Sequence, residues 1–334
     1  MTAPTVVVPV QDSSQVGTAR RAAVAVAERL GAVESDAGKV ALIVTELATN
    51  LARHGGGGEL LLRSLAEPAA GLEIIAIDRG PGMANVDEAL RDGFSTRGTN
   101  GVGLGAVRRI ADHYEIFSMR GAGTAVLARV RLSRGAPAGD VMVAGVSVAK
   151  PGEAVCGDAW SWASDGTGWS VLVADGLGHG LEAAAAATEA VRIFREQVTD
   201  SGEDILDAAH RAMRHTRGAA VAIAEVRPVH GQLLFTGIGN ISGTILGADA
   251  ARSLVSHAGI VGHECRKIQT FSYPWAKGSV LVMHSDGLQS RWTLDRYPAL
   301  RARDPAVLAA VLYRDFARGR DDVTVVAGRE VERP

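Results

Sequence analysis

The stretch "DGFSTRGTNGVGLGAVRRIAD" (residues 92–112) carries glycines at 93, 98, 101, 103 and 105 and takes on helical character only near Gly103. Glycines at this density either make a loose loop or let the backbone approach a ligand more closely than a Cβ would allow. A helix opening out of such a segment offers unpaired N–H groups and the positive end of its dipole, which together favour a phosphate. Gly101, Gly103 and Gly105 are therefore candidates for a phosphate-facing backbone, and the flanking sequence has to decide between loop and cradle.

Upstream, the strand-like "LEIIAID" (72–78) ends in Asp78 and opens into "RGPGM", where Gly80 and Gly82 permit a sharp turn. Earlier still, "TELATNLARHG" (45–55) repeats Glu46, Asn50 and His54 every fourth residue, which puts all three on one helix face. Taken alone, such a stripe is usually a helix's wet side, and a G-x-G-x-G run is weak. In company they say more. A carboxylate at a strand end can accept a hydrogen bond from an exocyclic amine, and an asparagine carbonyl can hold a hard cation. Those are the groups that an adenine ring and a magnesium-bound triphosphate need.

The order E-x-x-x-N, D-x-G-x-G, G-x-G-x-G resembles the GHKL ATP-binding superfamily, which includes histidine kinases, gyrase-type ATPases and anti-sigma serine kinases. "DRGPGM" and "DGFSTRG" look most like its RsbT-type switch kinases, over roughly residues 5 to 132. The resemblance implies a Bergerat-type α/β sandwich that binds ATP with Mg²⁺. Asn50 would hold the magnesium and Asp78 would read adenine. Gly80, Gly82, Gly101, Gly103 and Gly105 would shape the pocket, with Thr124 beside the base. Glu46 would be the general base for an acceptor hydroxyl. His54 and Arg97 read equally as helix and lid surface.

Around this core, Asp12 to Ser14 can cap a helix that runs to Leu30 and stops at Gly31. A second helix starts after Ser35 or Asp36 and ends before "GGGG" (55–58). Strands "ELLLRSLA", "LEIIAID", "YEIFSM" and "TAVLARV" complete an α+β pattern. The turn-rich "LSRGAPAGD" (132–140) separates two strand-like runs and sets a boundary near Ala136, giving domains over 1–135 and 136–334. For 334 residues, two domains are the natural expectation.

Beyond the boundary, aspartates stand at strand ends in four places: Asp158 in "VCGDAW", Asp175 in "VLVADGLGHG", Asp286 in "VLVMHSDGL", and Asp321 with Asp322 in "GRDDVTVVAG". Each Asp-Gly alone reads as a turn. Grouped, these carboxylates would repel one another unless a cation joined them, and an all-oxygen ligand set favours Mg²⁺ or Mn²⁺. "CGDAW", "ADGLGHG", "SDGL" and "DDVT" resemble the SpoIIE-type branch of the PPM serine/threonine phosphatases, in its small RsbX-type form, over roughly residues 141 to 328. The resemblance implies an α/β/β/α sandwich. Asp158, Asp175, the Gly176 carbonyl, Asp286 and Asp321 would be the metal ligands, with the choice of Asp321 over Asp322 left open. Asp158 and Asp175 would carry the catalysis. His179 reads equally as a neighbour of the metals or a packed loop residue. Cys156 and Ser161 depart from the common pattern, which has a glycine and an acid at those places.

With 47% hydrophobic and 22% charged residues the chain is an ordinary globular one, and a net charge of −2 gives no reason to expect nucleic acid. Two cysteines make no disulfide framework. The N-terminal "MTAPTVVVPVQDSS" lacks a basic segment, and no apolar run approaches membrane-spanning length, so a cytoplasmic chain without membrane partners is expected. Together the two resemblances imply a bifunctional kinase and phosphatase acting on a STAS-domain phosphoprotein in a sigma-factor or stress switch. The alternative is an active phosphatase whose first domain is a nucleotide-dependent docking module for a STAS protein or a sigma factor.

Overall fold

The computed structural model describes residues 4–65, 70–86, 103–132, 140–248 and 250–331. It divides into two compact units. One comprises Thr5–Ala138 with Leu294–Arg314, the other Gly139–Thr293 with Asp315–Pro334 and the first few residues of the chain. A single cut near residue 136 separates most of each, but 294–314 crosses back. The boundary segment 133–139 itself lies outside the described residues.

The first unit is α+β. Strands β1 (Val6–Val10), β2 (Gly58–Leu65), β3 (Gly71–Asp78), β4 (His113–Ser118) and β5 (Thr124–Arg131) form one antiparallel sheet in the order β1-β2-β3-β5-β4. β1 was not expected from the sequence; as an edge strand it tolerates Pro9. Helices α1 (Val16–Arg29) and α2 (Glu34–Arg53) cover one face of the sheet, and α3 (Gly103–Ile110) follows the glycine-rich segment. The Asp12 side chain accepts from the Ser14 amide, capping a short 3-10 turn that leads into α1. Gly31 terminates that helix at φ 83°. Val40, Ile43, Val44, Leu47, Ala48 and Leu51 make the apolar stripe of α2, and pack with Leu60, Leu62, Leu72, Ile74, Ala128 and Val130 of the sheet.

The opposite face of this sheet is also buried, through Leu61, Ile75, Ile77, Leu127, Ala125 and Phe117, which is why β3 reads as an uninterrupted apolar run. Across it runs a row of register partners, Arg63, Glu73, Arg129 and His113. Arg63 pairs with Glu73 at 2.7 Å and Arg129 with Glu73 at 2.8 Å. Segment 294–314 is tied to this face. Asp304 receives both terminal nitrogens of Arg129 at 2.7 and 2.8 Å, the Asp304 amide donates to Glu115, and Tyr297 meets Phe117 edge-on. Asp304 also accepts from the Ala306 amide, so the same carboxylate caps helix α6 (Pro305–Phe316). Burial pushes the Asp304 carboxyl up, but the hydrogen bond from His113 and the Arg129 guanidinium outweigh it and hold the group well below the usual carboxylate range. His113, Glu115 and Asp304 are spaced as metal ligands would be; the cation here is Arg129.

The second unit stacks two antiparallel sheets. β7 (Asp158–Ser164), β8 (Trp169–Gly176), β9 (Ala219–Arg227), β10 (Gln232–Ile238) and β13 (Thr270–Pro274) form the first, in the order β13-β10-β9-β8-β7. β6 (Val141–Val148), β11 (Ser242–Leu246), β12 (Ala251–Leu254), β14 (Val280–His284) and β15 (Val323–Glu330) form the second, in the order β12-β11-β14-β15-β6. Between them lie Trp160, Val171, Val173, Ala222, Ala224, Phe235, Leu281, Met283 and Val326. Helices α4 (Leu181–Glu196) and α5 (Gly202–Ala212) cover the outer face of the first sheet with Ala186, Ala187, Ala190, Phe194, Ile205 and Leu206. The alanine-rich stretch 182–190 is thus the close-packing side of α4. Among the described residues no helix is long and apolar enough to cross a membrane.

Candidate nucleotide and metal sites

In the first unit, β3 delivers Asp78 to the sheet end, where its Oδ1 accepts from the Gly80 amide at 2.8 Å and the Thr124 amide at 3.1 Å. Burial raises the Asp78 carboxyl above the usual range, and those two amides only partly offset it. Close backbone approach is built in. A Cβ on Gly55 would meet the Asp78 Cβ at 2.8 Å, and one on Gly80 would meet Gly55 at 2.9 Å. Gly82, at φ 65°, sits where a Cβ would fall 1.9 Å from the Met119 carbonyl oxygen. Each of these positions excludes any side chain.

Glu46 and Asn50 are half-buried on α2. The first residue of α3 lies over them: a Cβ on Gly103 would stand 3.4 Å from Glu46 Oε2 and 3.9 Å from both terminal atoms of Asn50. The Asn50 Nδ2 is buried without a hydrogen-bond partner, an unmet polar group of the kind a ligand satisfies. Gly105 is buried in the first turn of α3. Thr124 shares a 2.9 Å hydroxyl contact with Ser118 beside Asp78. His54 is the exposed C-terminal cap of α2. Gly101 and Arg97 lie outside the described residues.

In the second unit Asp158 opens β7 and Asp175 nears the end of β8, and the two are direct register partners. Like charges placed opposite each other across strands repel. Asp158 is buried, with Oδ2 accepting from the Ser285 hydroxyl at 2.6 Å and Oδ1 without any partner. Asp322 is buried as well: its Oδ1 accepts from the Lys150 amide at 2.9 Å, while Oδ2 has no partner. Burial, then Asp286, Asp321 and Asp322, push the Asp175 carboxyl up to about 7. Asp158 is driven well above its ordinary value by burial and then by Asp175. Asp286 is held by Asn240 at 2.8 Å, and Asp321 Oδ1 accepts from the Asp322 amide at 3.0 Å. Two orphaned carboxylate oxygens in a cluster of mutually repelling acids fit a hard divalent cation.

Gly176 has no room for a side chain, since a Cβ would meet the Ala183 carbonyl oxygen at 2.0 Å. His179 Nδ1 pairs with Glu153 at 2.6 Å, tying the "DGLGHG" loop to the loop before β7. Cys156 is buried, and burial raises its thiol far above the ordinary range, so it is no nucleophile. Ser161, three residues beyond Asp158, points to the other side of β7 and accepts from Arg195.

Two family models match the chain: "Histidine kinase-like ATPase domain" over residues 10–130 and "Stage II sporulation protein E (SpoIIE)" over residues 165–329. The serine/threonine-protein kinase RsbT of Bacillus subtilis (strain 168) is 36% identical over 104 residues, 31% of this chain and 78% of that protein. The chain belongs to the RsbT family. Its second domain matches the SpoIIE model and is similar to the phosphoserine phosphatase RsbX of the same organism, 27% identical over 141 residues, 42% of this chain and 70% of that protein. A solved structure described as "The bacterial stressosome: a modular system that has been adapted to control secondary messenger signaling" is 29% identical, with a TM-score of 0.53, covering 57% of this chain and 99% of that one. RsbX in complex with magnesium, at 21% identity and a TM-score of 0.50 over 57% of this chain and 95% of that one, shares the fold. The chain joins a PPM-type serine/threonine phosphatase domain to a kinase-homologous one.

Several residues around these sites carry no signal in the sequence. Ser285 precedes Asp286 and braces Asp158, and its Oγ in turn accepts from the Thr324 amide. Asn240 orients Asp286 from the β10–β11 turn. In the nucleotide site Arg314 reaches the Asp78 backbone from 236 positions away.

Proposed function

We propose that the chain is a bifunctional regulator, whose first domain phosphorylates and whose second domain dephosphorylates a serine or threonine of a STAS-domain protein in a cytoplasmic partner-switching system. The observation that carries this is the union in one chain of an RsbT-like and an RsbX-like domain, whose named relatives are a serine/threonine kinase and a phosphoserine phosphatase.

In the first domain ATP would lie with its base at Asp78 and Thr124 and its phosphates at the start of α3. Asn50 would hold the Mg²⁺. Glu46, on the same helix face one turn earlier, would take the proton from an acceptor hydroxyl, a role that typically contributes about 100- to 10,000-fold. The glycines at 80, 82, 101, 103 and 105 keep side chains out of the cradle. A base beside the magnesium ligand favours transfer over mere docking, because a docking module has no need for one.

In the second domain Asp158, Asp175, the Gly176 carbonyl, Asp286 and Asp321 would hold Mg²⁺ or Mn²⁺, with Asp322, whose Oδ2 has no partner, as the alternative to Asp321. Bound there, the ions would supply an activated water and neutralise phosphoryl oxygens. Ser285 and Asn240 fix two of the carboxylates so that the ligand set is preformed. Joining the two domains raises the effective concentration of one site near a substrate held by the other.

The test is labelled ATP, magnesium and STAS proteins from the source organism, with wild type, Asp175→Asn, and Asp175→Asn combined with Glu46→Ala. Label should accumulate on a STAS protein with Asp175→Asn and vanish in the double variant. Absence of label throughout, with pre-phosphorylated substrate still hydrolysed by wild type and Mn²⁺, would leave the first domain as a nucleotide-gated docking module.

A further inference from the structure

Segment 294–314 lies in sequence between Asp286 and Asp321, yet it groups with the nucleotide unit. It is anchored at two places. In its middle, Asp304 pairs with Arg129 and caps α6. At the far end, Tyr313 donates to Glu59 at 3.2 Å, and the buried Arg314 donates from Nη1 to the Asp78 carbonyl oxygen at 2.9 Å and to the Thr124 carbonyl oxygen at 3.5 Å.

A guanidinium is costly to bury, and an otherwise apolar helix gains nothing from one unless its donors are used. Here they are used on the backbone of the two residues that close the base end of the site. Asp78 and Thr124 are register partners on β3 and β5, and the Asp78 side chain already accepts from the Thr124 amide. Gly123, at φ 75°, leaves the room: a Cβ there would stand 2.0 Å from the Asp78 carbonyl oxygen and 2.9 Å from Arg314 Nη1. Side chain and backbone of Asp78 are thus held from opposite directions.

Beyond Arg314 the chain enters the other unit at once. The Gln289 amide donates to the Phe316 carbonyl at 2.9 Å and the Arg318 amide to the Gly287 carbonyl at 2.8 Å, with a bridge between Leu288 and Ala317. Gly287 directly follows Asp286, and Asp321 comes three residues after Arg318.

We propose that Arg314 is a positioning residue of the nucleotide site, and that through the short run from Arg314 to Asp321 nucleotide binding is linked to the strand ends carrying Asp286 and Asp321. The proposal rests on the reading of Asp78 as the adenine acceptor. A nucleotide that draws on Asp78 changes what Arg314 holds, and the residues after Arg314 are hydrogen-bonded to the residues after Asp286. By reciprocity, metal binding at the acidic cluster alters nucleotide affinity by the same factor.

The test uses the full-length protein as wild type, Arg314→Gln and Arg314→Lys, with ADP–Mg²⁺ and GDP–Mg²⁺ as probes in calorimetry. Amide hydrogen exchange over 286–291 and 315–322 is measured with and without ADP. Expected is a loss of ADP affinity of about tenfold in Arg314→Gln, the scale of one hydrogen bond from a charged group. The ADP-over-GDP preference should fall with it and recover in part in Arg314→Lys, whereas a general loosening would weaken both nucleotides equally. In wild type, ADP should slow exchange at the Gln289 and Arg318 amides. Arg314→Lys, which keeps the charge and a donor, carries the affinity test if the glutamine variant fails to fold. Unchanged affinity and preference in both variants would overturn the positioning role, and unchanged exchange at 289 and 318 on adding ADP to wild type would overturn the linkage. If wild type binds neither nucleotide, the reading of the site falls, and the proposal with it.

Discussion

Asp304 and Asp158 are both buried aspartates, one in each unit, and they meet opposite surroundings. Asp304 faces Arg129 in a bidentate pair with His113 alongside, so its carboxyl lies below the ordinary range. Asp158 faces Asp175 across a strand pair, with Asp322 close by, and its carboxyl lies well above that range. The first is complete as it stands. The second keeps an oxygen without a partner. Acidic clusters therefore do not by themselves mark metal sites: His113, Glu115 and Asp304 sit at ligand spacing, and a protein guanidinium already fills the role.

Four variants or conditions break or sharpen this contrast. The largest effect is expected from Asp304→Asn, which leaves Arg129 with half its partners and should cost on the order of 3 kcal/mol in denaturant unfolding. Next, Asp175→Asn should lower phosphoserine hydrolysis by at least about a hundredfold. In the presence of chelator it should raise the melting temperature, because one of the opposed charges is gone. A loss of stability in chelator would contradict the contrast.

The third is a pH series in chelator, in which the two sites act with opposite sign. Asp175, raised to about 7, contributes stability that is full below about pH 4 and is lost as pH rises toward 7. Asp304, lowered, contributes stability that is present above about pH 4 and is lost as pH falls through its folded value. Asp175→Asn should flatten the melting curve between about pH 4 and 7, Asp304→Asn its fall below about pH 4. The smallest effect is expected of Ser285→Ala, about 1 kcal/mol of stability in chelator, since it removes one hydroxyl donor from Asp158. Weaker Mn²⁺ binding by calorimetry should accompany it.

What could be read from the sequence follows from how local each signal is. "LEIIAID" announced a buried strand ending at Asp78, and the repeat of Glu46 and Asn50 announced a shared helix face, because period and spacing need no knowledge of distant partners. The four acidic strand ends were legible for the same reason. β1 was missed because Pro9 argues against a strand anywhere but at an edge, and the edge position is a property of the sheet. The role of Arg314 was invisible. In "LYRDFARG" it is one charge near a helix end, and only folding brings it to a carbonyl 236 residues back.

The crossing of segment 294–314 also bears on how such a chain can be taken apart. A fragment ending near residue 135 would retain every residue assigned to the nucleotide site except its brace. It would also leave Arg129 without Asp304, Phe117 without Tyr297 and Glu59 without Tyr313. The complementary half would carry α6 with no sheet to receive it. Recombination that exchanges either half for a relative's therefore has to bring a matching 294–314 with it to keep these bonds.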